Sequence, residues 1–189
     1  MKASIGINPL DSALGETVRE LLKADFDRVV CAVAYAKVGA VARLADELEL
    51  HKKRKIEAFC SKDCKITSAQ AVQMLTELGV SVYLLGSSRQ KYHPKFWLAW
   101  STSSPEFKAI VGSGNFTVGG LWINIEATTV VEGDRRQKED AFFYETLIRH
   151  IDALRTHSGN AVAITDIPKL VQDGDLVDES QRPPKNPAG

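Results

Sequence analysis

The sequence predicts an α/β fold, a mixed and largely parallel central sheet flanked by helices on both faces. Short β-branched apolar runs alternate with stretches of helical periodicity through the first half of the chain. Those runs are apolar at consecutive positions, as in strands covered on both faces. The residues that carry most chemistry gather at predicted strand ends and in adjoining loops, where sites of open sheets form.

The elements follow in chain order. Residues 11–23 place Leu14, Val18, Leu21 and Leu22 at helical spacing, with Asp11 or Ser12 as N-cap. Residues 28–35 (Arg-Val-Val-Cys-Ala-Val-Ala-Tyr) read as a buried strand, and 38–50 as an amphipathic helix on Val41, Leu44, Ala45 and Leu48. Residues 55–60 form a second strand. Thr67 or Ser68 then caps a helix carrying Ala71, Val72, Leu75 and Leu78, which Gly79 stops before a third strand at 80–85. Strand-helix-strand-helix-strand order implies right-handed crossovers. Beyond it, strands at 93–100 and 107–111 flank Ser101-Thr102-Ser103-Ser104-Pro105, a hairpin composition. A glycine-rich loop, a strand at 125–131 and a long helix at 137–155 complete the pattern. From Asp173 the apolar pattern fades, and residues 182–189 (Arg-Pro-Pro-Lys-Asn-Pro-Ala-Gly) read as a linker, with a second module as one continuation. The expected organisation is one domain over 1–172 and a flexible tail over 173–189, without internal repeats.

With 189 residues, 44% hydrophobic and 25% charged, the chain suits one soluble domain with a real core. Lys and Arg number 24 and Asp and Glu 24, so no global field attracts a polyanion and any such ligand needs a local patch. Local clusters exist at residues 51–55 (His-Lys-Lys-Arg-Lys), at Arg89 with Lys91, and at Arg135-Arg136. No stretch has the apolar length of a signal peptide or a membrane span, so a cytoplasmic protein without a membrane partner is expected. Cys31, Cys60 and Cys64 cannot all pair, and no second ligand pair follows Cys60 and Cys64 to complete a zinc site. Neither metal nor cofactor is expected.

The informative segment is 92–131. His93-Pro94-Lys95 opens one strand, Gly112-Ser113-Gly114-Asn115 follows the next, and Asn124-Ile125-Glu126 opens a third. Positions i and i+2 of a strand share a face, so His93 and Lys95 point the same way, an arrangement that suits an anion between them. Gly112 and Gly114 let backbone approach a ligand, while Ser113, Asn115 and Asn124 offer neutral donors. Glu126, on a neighbouring strand, is placed to orient a histidine ring. Arg89 and Lys91 lead into the site and are candidate phosphate contacts. Each feature alone has an ordinary structural reading; their joint occurrence describes a phosphate site with an oriented imidazole.

His93-x-Lys95, Gly112-Ser113-x-Asn115 and the later Glu126 resemble the phospholipase D superfamily, closest to single-motif bacterial endonucleases and the catalytic domains of metal-independent restriction endonucleases. The motif Asp expected after four intervening residues past the lysine is replaced by Trp100, which moves the expected subfamily from lipid toward nucleic acid. The resemblance implies a phospholipase D-like fold and a homodimer whose two motifs form one site. It implies that one His93 attacks phosphorus to form a phosphohistidine, while the second protonates the leaving oxygen and then activates water. Lys95 and Asn115 would bind non-bridging oxygens, Ser113 would contact phosphate or brace Glu126, and Glu126 would set the histidine tautomer, with no metal required. The expected activity is a DNA endonuclease, as in restriction or defence, with sequence specificity in a separate domain or subunit. The alternatives are a phospholipase or phosphatidyltransferase, and a nucleic-acid-binding module without turnover.

Overall fold

The computed structural model describes residues 1–50, 54–86 and 91–181. Its centre is a seven-stranded sheet in the order β1-β7-β6-β5-β2-β3-β4. The predicted alternation builds one half. β2 (Arg28–Val33), β3 (Lys55–Ser61) and β4 (Ser81–Leu85) lie parallel, connected through α2 (Val38–Arg43), α3 (Ala45–Glu49) and α4 (Ala69–Glu77).

The other half is antiparallel. β5 (Lys95–Trp100) lies beside β2, followed by β6 (Glu106–Gly112), β7 (Glu126–Asp134) and an N-terminal strand, β1 (Lys2–Asn8). Two of the six neighbour pairings are therefore parallel, so the expected largely parallel sheet is corrected to a mixed sheet with an antiparallel majority. The reason is the connections. Parallel neighbours need a long crossover, whereas the short turn at 101–105 permits only antiparallel pairing.

Helices cover both faces. One core joins α1 (Leu14–Lys23), α2, α4 and α6 (Ile167–Gln172) to Val29, Cys31, Val33, Trp97 and Ile110. The opposite core packs α5 (Lys138–Ser158) on Val30, Phe59, Leu98, Phe107 and Val131. In α1 the predicted stripe is fully used, since Leu14, Val18, Leu21 and Leu22 are all buried. Each such side chain contributes on the order of 1.5–3 kcal/mol. The cap differs from expectation. Asp11 Oδ2 accepts from the Ile7 N–H at 2.8 Å, and Asn8 Oδ1 accepts the Leu14 N–H at 2.8 Å. Asn8 thus starts α1 from the end of β1. For α4, Ser68 is the cap, its hydroxyl accepting from the Ala71 N–H at 3.1 Å.

The helix expected over 38–50 is two helices, because Leu44 departs from helical geometry at φ −116° and ψ 11°. Arg19 Nη2 donates to the Arg43 carbonyl freed there, at 2.9 Å. The C-terminal boundary also moves. Leu176 is 2% exposed in the core, and Val177 bonds Thr67 O and Ala69 N, so 173–181 are packed and not a tail. The proline-rich residues 182–189 lie outside the described residues. Among those described, no helix is long and apolar enough to cross a membrane.

One buried charge ties α5 to the sheet. Glu57 on β3 is 2% exposed and receives Arg155 Nε at 3.1 Å, with Arg155 Nη2 on its second oxygen. Lys55 Nζ stands 3.7 Å away on the outer side. Removing one partner of a buried pair strands the other charge. Arg155→Ala should therefore lower stability by about 2–3 kcal/mol, discounted from the fully buried case because the arginine is half-exposed. Urea unfolding followed by circular dichroism checks this; an unchanged midpoint would show that the pair contributes nothing.

Candidate active site

Antiparallel pairing brings five strand ends, those of β1, β2, β5, β6 and β7, to one end of the sheet. Lys95 opens β5 opposite Val33, Gly112 closes β6 opposite Thr128, and Glu126 opens β7 opposite Asn8. The three motif segments, far apart in sequence, are neighbours here for that reason alone.

His93 is exposed just before β5, and Lys95 is half-buried on the same side. Lys95 Nζ lies 2.8 Å from His93 Nδ1 and 3.3 Å from Nε2, and donates to the His93 carbonyl at 3.1 Å. An ammonium can only donate, so it meets an unprotonated ring nitrogen. The lysine thus stands directly against the imidazole nitrogens. Burial pulls the Lys95 ammonium below the ordinary lysine pKa, while the Glu126 carboxylate acts in the opposite direction.

Ser113 and Glu126 form a second unit. The Ser113 hydroxyl donates in a very short bond to Glu126 and accepts from the Ala127 N–H at 3.2 Å; its own N–H reaches Ala127 O at 3.1 Å. Ser113 thus braces Glu126, one of its two expected roles. Asn124 Nδ2 lies 3.4 Å from the other Glu126 oxygen, and the Asn124 carbonyl accepts from Asn8 Nδ2 at 2.7 Å. The expected bond between Glu126 and the histidine is not formed within one protomer. β6 lies between β5 and β7, so their axes are about 10 Å apart, two strand spacings.

Asn115 is held from behind. Its Oδ1 accepts from the Tyr35 N–H at 3.2 Å, which leaves Nδ2 as the free donor. The loop around it is folded extremely closely. A Cβ on Gly120 would sit 2.6 Å from both Asn115 N and O, and one on Gly114 would sit 2.6 Å from Gly120 O and from Leu14. At Gly112 a Cβ would meet Ala127 O at 2.5 Å. The missing side chains of Gly112 and Gly114 thus make room for protein, not for a ligand as the sequence suggested. A five-residue π-helical turn, Gly119–Ile123, closes the loop.

Two supporting residues escaped the sequence reading. Tyr35 follows β2, and its ring packs edge-on against His93 at 5.9 Å between centroids and 76° between planes. Asp63 Oδ2 accepts from the Tyr92 N–H at 3.2 Å, fixing the strand entry that carries His93. Asp63 sits in a loop where Cys64 (φ 65°) and Lys65 (φ 51°) are consecutive left-handed non-glycine residues. That conformation costs roughly 1–2 kcal/mol per residue. The only sequence hint was a polar aromatic at the end of a buried strand.

The basic clusters divide. Arg54 is buried and donates to the Leu22 and Ala24 carbonyls at 2.5 and 2.6 Å, so it caps α1 and cannot meet a polyanion. Arg135 donates to the Ser101, Ser104 and Pro105 carbonyls and lies over Tyr144, while Arg136 pairs with Asp134. Both sit at the opposite end of the sheet from His93. Lys91 is exposed beside a hollow of about 320 Å³ shared with Tyr92, Leu154 and His157. Residues 51–53 and Arg89 lie outside the described residues. Trp100 ends β5, roughly 17 Å along the strand from Lys95, and packs edge-on to Tyr144 at 6.1 Å. Its identity therefore removes no group from the site.

The lysine shift has a chemical consequence. Lys95 should acylate faster than the surface lysines when trace acetic anhydride is applied near neutral pH, because more of it is neutral. Glu126→Gln removes the charge that favours its protonated form, so reactivity should rise further. Mass spectrometry reads both effects, and a Lys95 no more reactive than the surface lysines would contradict the shift.

No protein-family model and no curated protein sequence matches the chain. Solved structures do. Nuc from Salmonella typhimurium, a phospholipase D family member, superposes with a TM-score of 0.66 at 14% identity over 86% of this chain and 99% of that one. NucT from Helicobacter pylori gives 0.55 at 14% identity over 85% and 99%. Yeast tyrosyl-DNA phosphodiesterase gives 0.51 at 13% identity, over 92% of this chain and 41% of that longer one. With the sheet order, the two helical layers and these superpositions, the chain has the phospholipase D fold.

Proposed function

We propose that the chain is a metal-independent phosphodiesterase, an endonuclease that hydrolyses DNA through a covalent phosphohistidine in a homodimeric site. The observation that carries this reading is the convergence of His93, Lys95, Ser113, Asn115 and Glu126 on one sheet end, set on the fold shared with Nuc and tyrosyl-DNA phosphodiesterase.

A phosphodiester bound there displaces Lys95 from the imidazole and takes hydrogen bonds from Lys95 Nζ and Asn115 Nδ2 on its non-bridging oxygens. His93 attacks phosphorus, the P–O bond to the leaving group breaks, and that oxygen takes a proton from a second histidine. Water, deprotonated by the second histidine, then splits the P–N bond. Charge gathering on the non-bridging oxygens meets donors already in place, the largest contribution an enzyme usually makes.

The second histidine has to come from another copy. Among the described residues, His150 and His157 lie on α5 and not in the motif segments. The motif side chains lie on open surface, and a hollow of about 860 Å³ along β1 and α1 contains none of them. Beside the site, Ile5, Ile7, Val111 and Ile125 are 80, 42, 39 and 74% exposed. Ile5, Thr129 and Val111 lie in register across three adjacent strands, so this is a continuous apolar strip that α5 leaves uncovered. A second copy seated there buries the strip and brings in a second set of motif residues, including the carboxylate that each histidine lacks in its own protomer.

Cleavage of plasmid DNA should persist in excess chelator and vanish in His93→Ala, with label from the DNA trapped on His93 by a denaturing quench at alkaline pH. A strict Mg²⁺ requirement, or turnover of a fluorescent phospholipid in place of DNA, would overturn the reading. Ile5→Asp combined with Val111→Asp should yield a folded monomer with cleavage lowered at least about 10²-fold, the scale for loss of transition-state charge stabilisation. Binding should weaken with salt at a log-log slope of about −0.9 per phosphate contacted.

A further inference from the structure

We infer that Tyr35 is a positioning residue of the site, holding the His93 imidazole and the Asn115 carboxamide in one arrangement from the loop after β2. This deepens the phosphodiesterase reading and rests on it. Tyr35 meets both groups at once. Its backbone N–H donates to Asn115 Oδ1 at 3.2 Å, its carbonyl accepts from the Phe116 N–H at 3.0 Å, and its ring packs edge-on against His93 at 5.9 Å. No other described aromatic ring touches the histidine.

The phenol lies beside the Asp63–Cys64 loop, and burial together with the neighbouring Cys64 and Asp63 raises its pKa. In that loop Cys64 and Lys65 adopt left-handed backbone conformations that non-glycine residues avoid. The neighbouring Asp63 holds the same loop to the histidine strand. It accepts from the Tyr92 N–H at 3.2 Å and from the Ser61 hydroxyl at 3.2 Å, and a Cβ on Gly86 would fall 2.2 Å from its Oδ2. One loop therefore grips the chain on both sides of the imidazole, through Asp63 below and through Cys64 and Tyr35 beside it. The strained conformation persists only where the surroundings enforce it, and here it serves to set a ring.

Freeing an exposed imidazole lets it sample rotamers and tautomers in which neither nitrogen faces the phosphorus. Misplacement of this kind lowers the rate of the chemical step more than it weakens binding.

The test uses the full chain with Tyr35→Leu, Tyr35→Phe and Cys64→Ala, none of which the mechanism employs. Imidazole ¹⁵N resonances, with His93 assigned by comparison with His93→Gln, report its tautomer balance without any substrate. Tyr35→Leu should move both His93 ¹⁵N shifts toward those of a freely exchanging imidazole and lower kcat by about 10-fold or more with KM within about 2-fold. Tyr35→Phe, which keeps the ring, should restore most of both. Cys64→Ala, at an exposed position, should give a smaller change of the same sign, and carries the test if Tyr35→Leu does not fold. Unchanged His93 resonances in Tyr35→Leu or Cys64→Ala would overturn the inference, as would a Tyr35→Phe variant as impaired as Tyr35→Leu. The resonances are read even if no phosphodiester is turned over, so loss of the phosphodiesterase reading and loss of the positioning role give different results.

Discussion

The contact between Gly120 and Asn115 sets the terms for everything around it. The two backbones approach so closely that no Cβ fits between them, and Gly114 is pressed against the Gly120 carbonyl. This folding-back of 112–120 is what turns the Asn115 side chain toward Tyr35, where a backbone N–H takes its oxygen and leaves its amide outward. It also places the π-helical turn so that Asn124 can bond Asn8 and β7 can begin with Glu126. A larger residue anywhere in that contact would separate the Asn115 carboxamide from the histidine strand before altering any charge. The glycines of the motif are thus chemical by indirect means: their job is to bring chain against chain.

Electrostatics at the site depends on what β6 keeps apart. Inserted between β5 and β7, it prevents Glu126 from closing on the imidazole, while its end supplies Ser113 to hold that carboxylate still. Glu126 is left to act on Lys95 at longer range, favouring the charge that burial disfavours. Lys95 in turn contacts the histidine ring nitrogen. The protomer therefore carries an imidazole capped by its own lysine and a carboxylate with no imidazole to orient.

Much of this was legible in the residues, for identifiable reasons. The β2, β3 and β4 strands were readable as short apolar runs between turn signals, and α1 because Leu14, Val18, Leu21 and Leu22 share one face. β1 was not, since an edge strand with Ile5 and Ile7 exposed has no buried pattern to read. The antiparallel majority was hidden because strand order is decided by how hairpins dock, which no local pattern encodes. Arg54 and Arg135 looked like surface cations, yet each is spent on backbone carbonyls, a use visible only when the chain ends they cap are brought near. The motif residues were found by type and spacing; their partners were not, because Tyr35 and Asp63 reach the site from loops separated from it in sequence.

That division has a physical basis that extends to Trp100. A residue that must touch phosphate is restricted in chemistry, so it leaves a trace in the sequence. A residue that must only hold another in place is restricted in geometry, and many side chains can meet the demand. Trp100 stands where a family carboxylate is expected, but at the far end of β5 it fills the core against Tyr144 and Phe107, which a buried carboxylate there could do only with a cation beside it. In this chain the nearby guanidinium of Arg135 already lies over Tyr144 and bonds three carbonyls of the hairpin. The hairpin is therefore closed by an arginine and aromatic rings in place of an ion pair on β5, and the site end of the strand is untouched by the exchange.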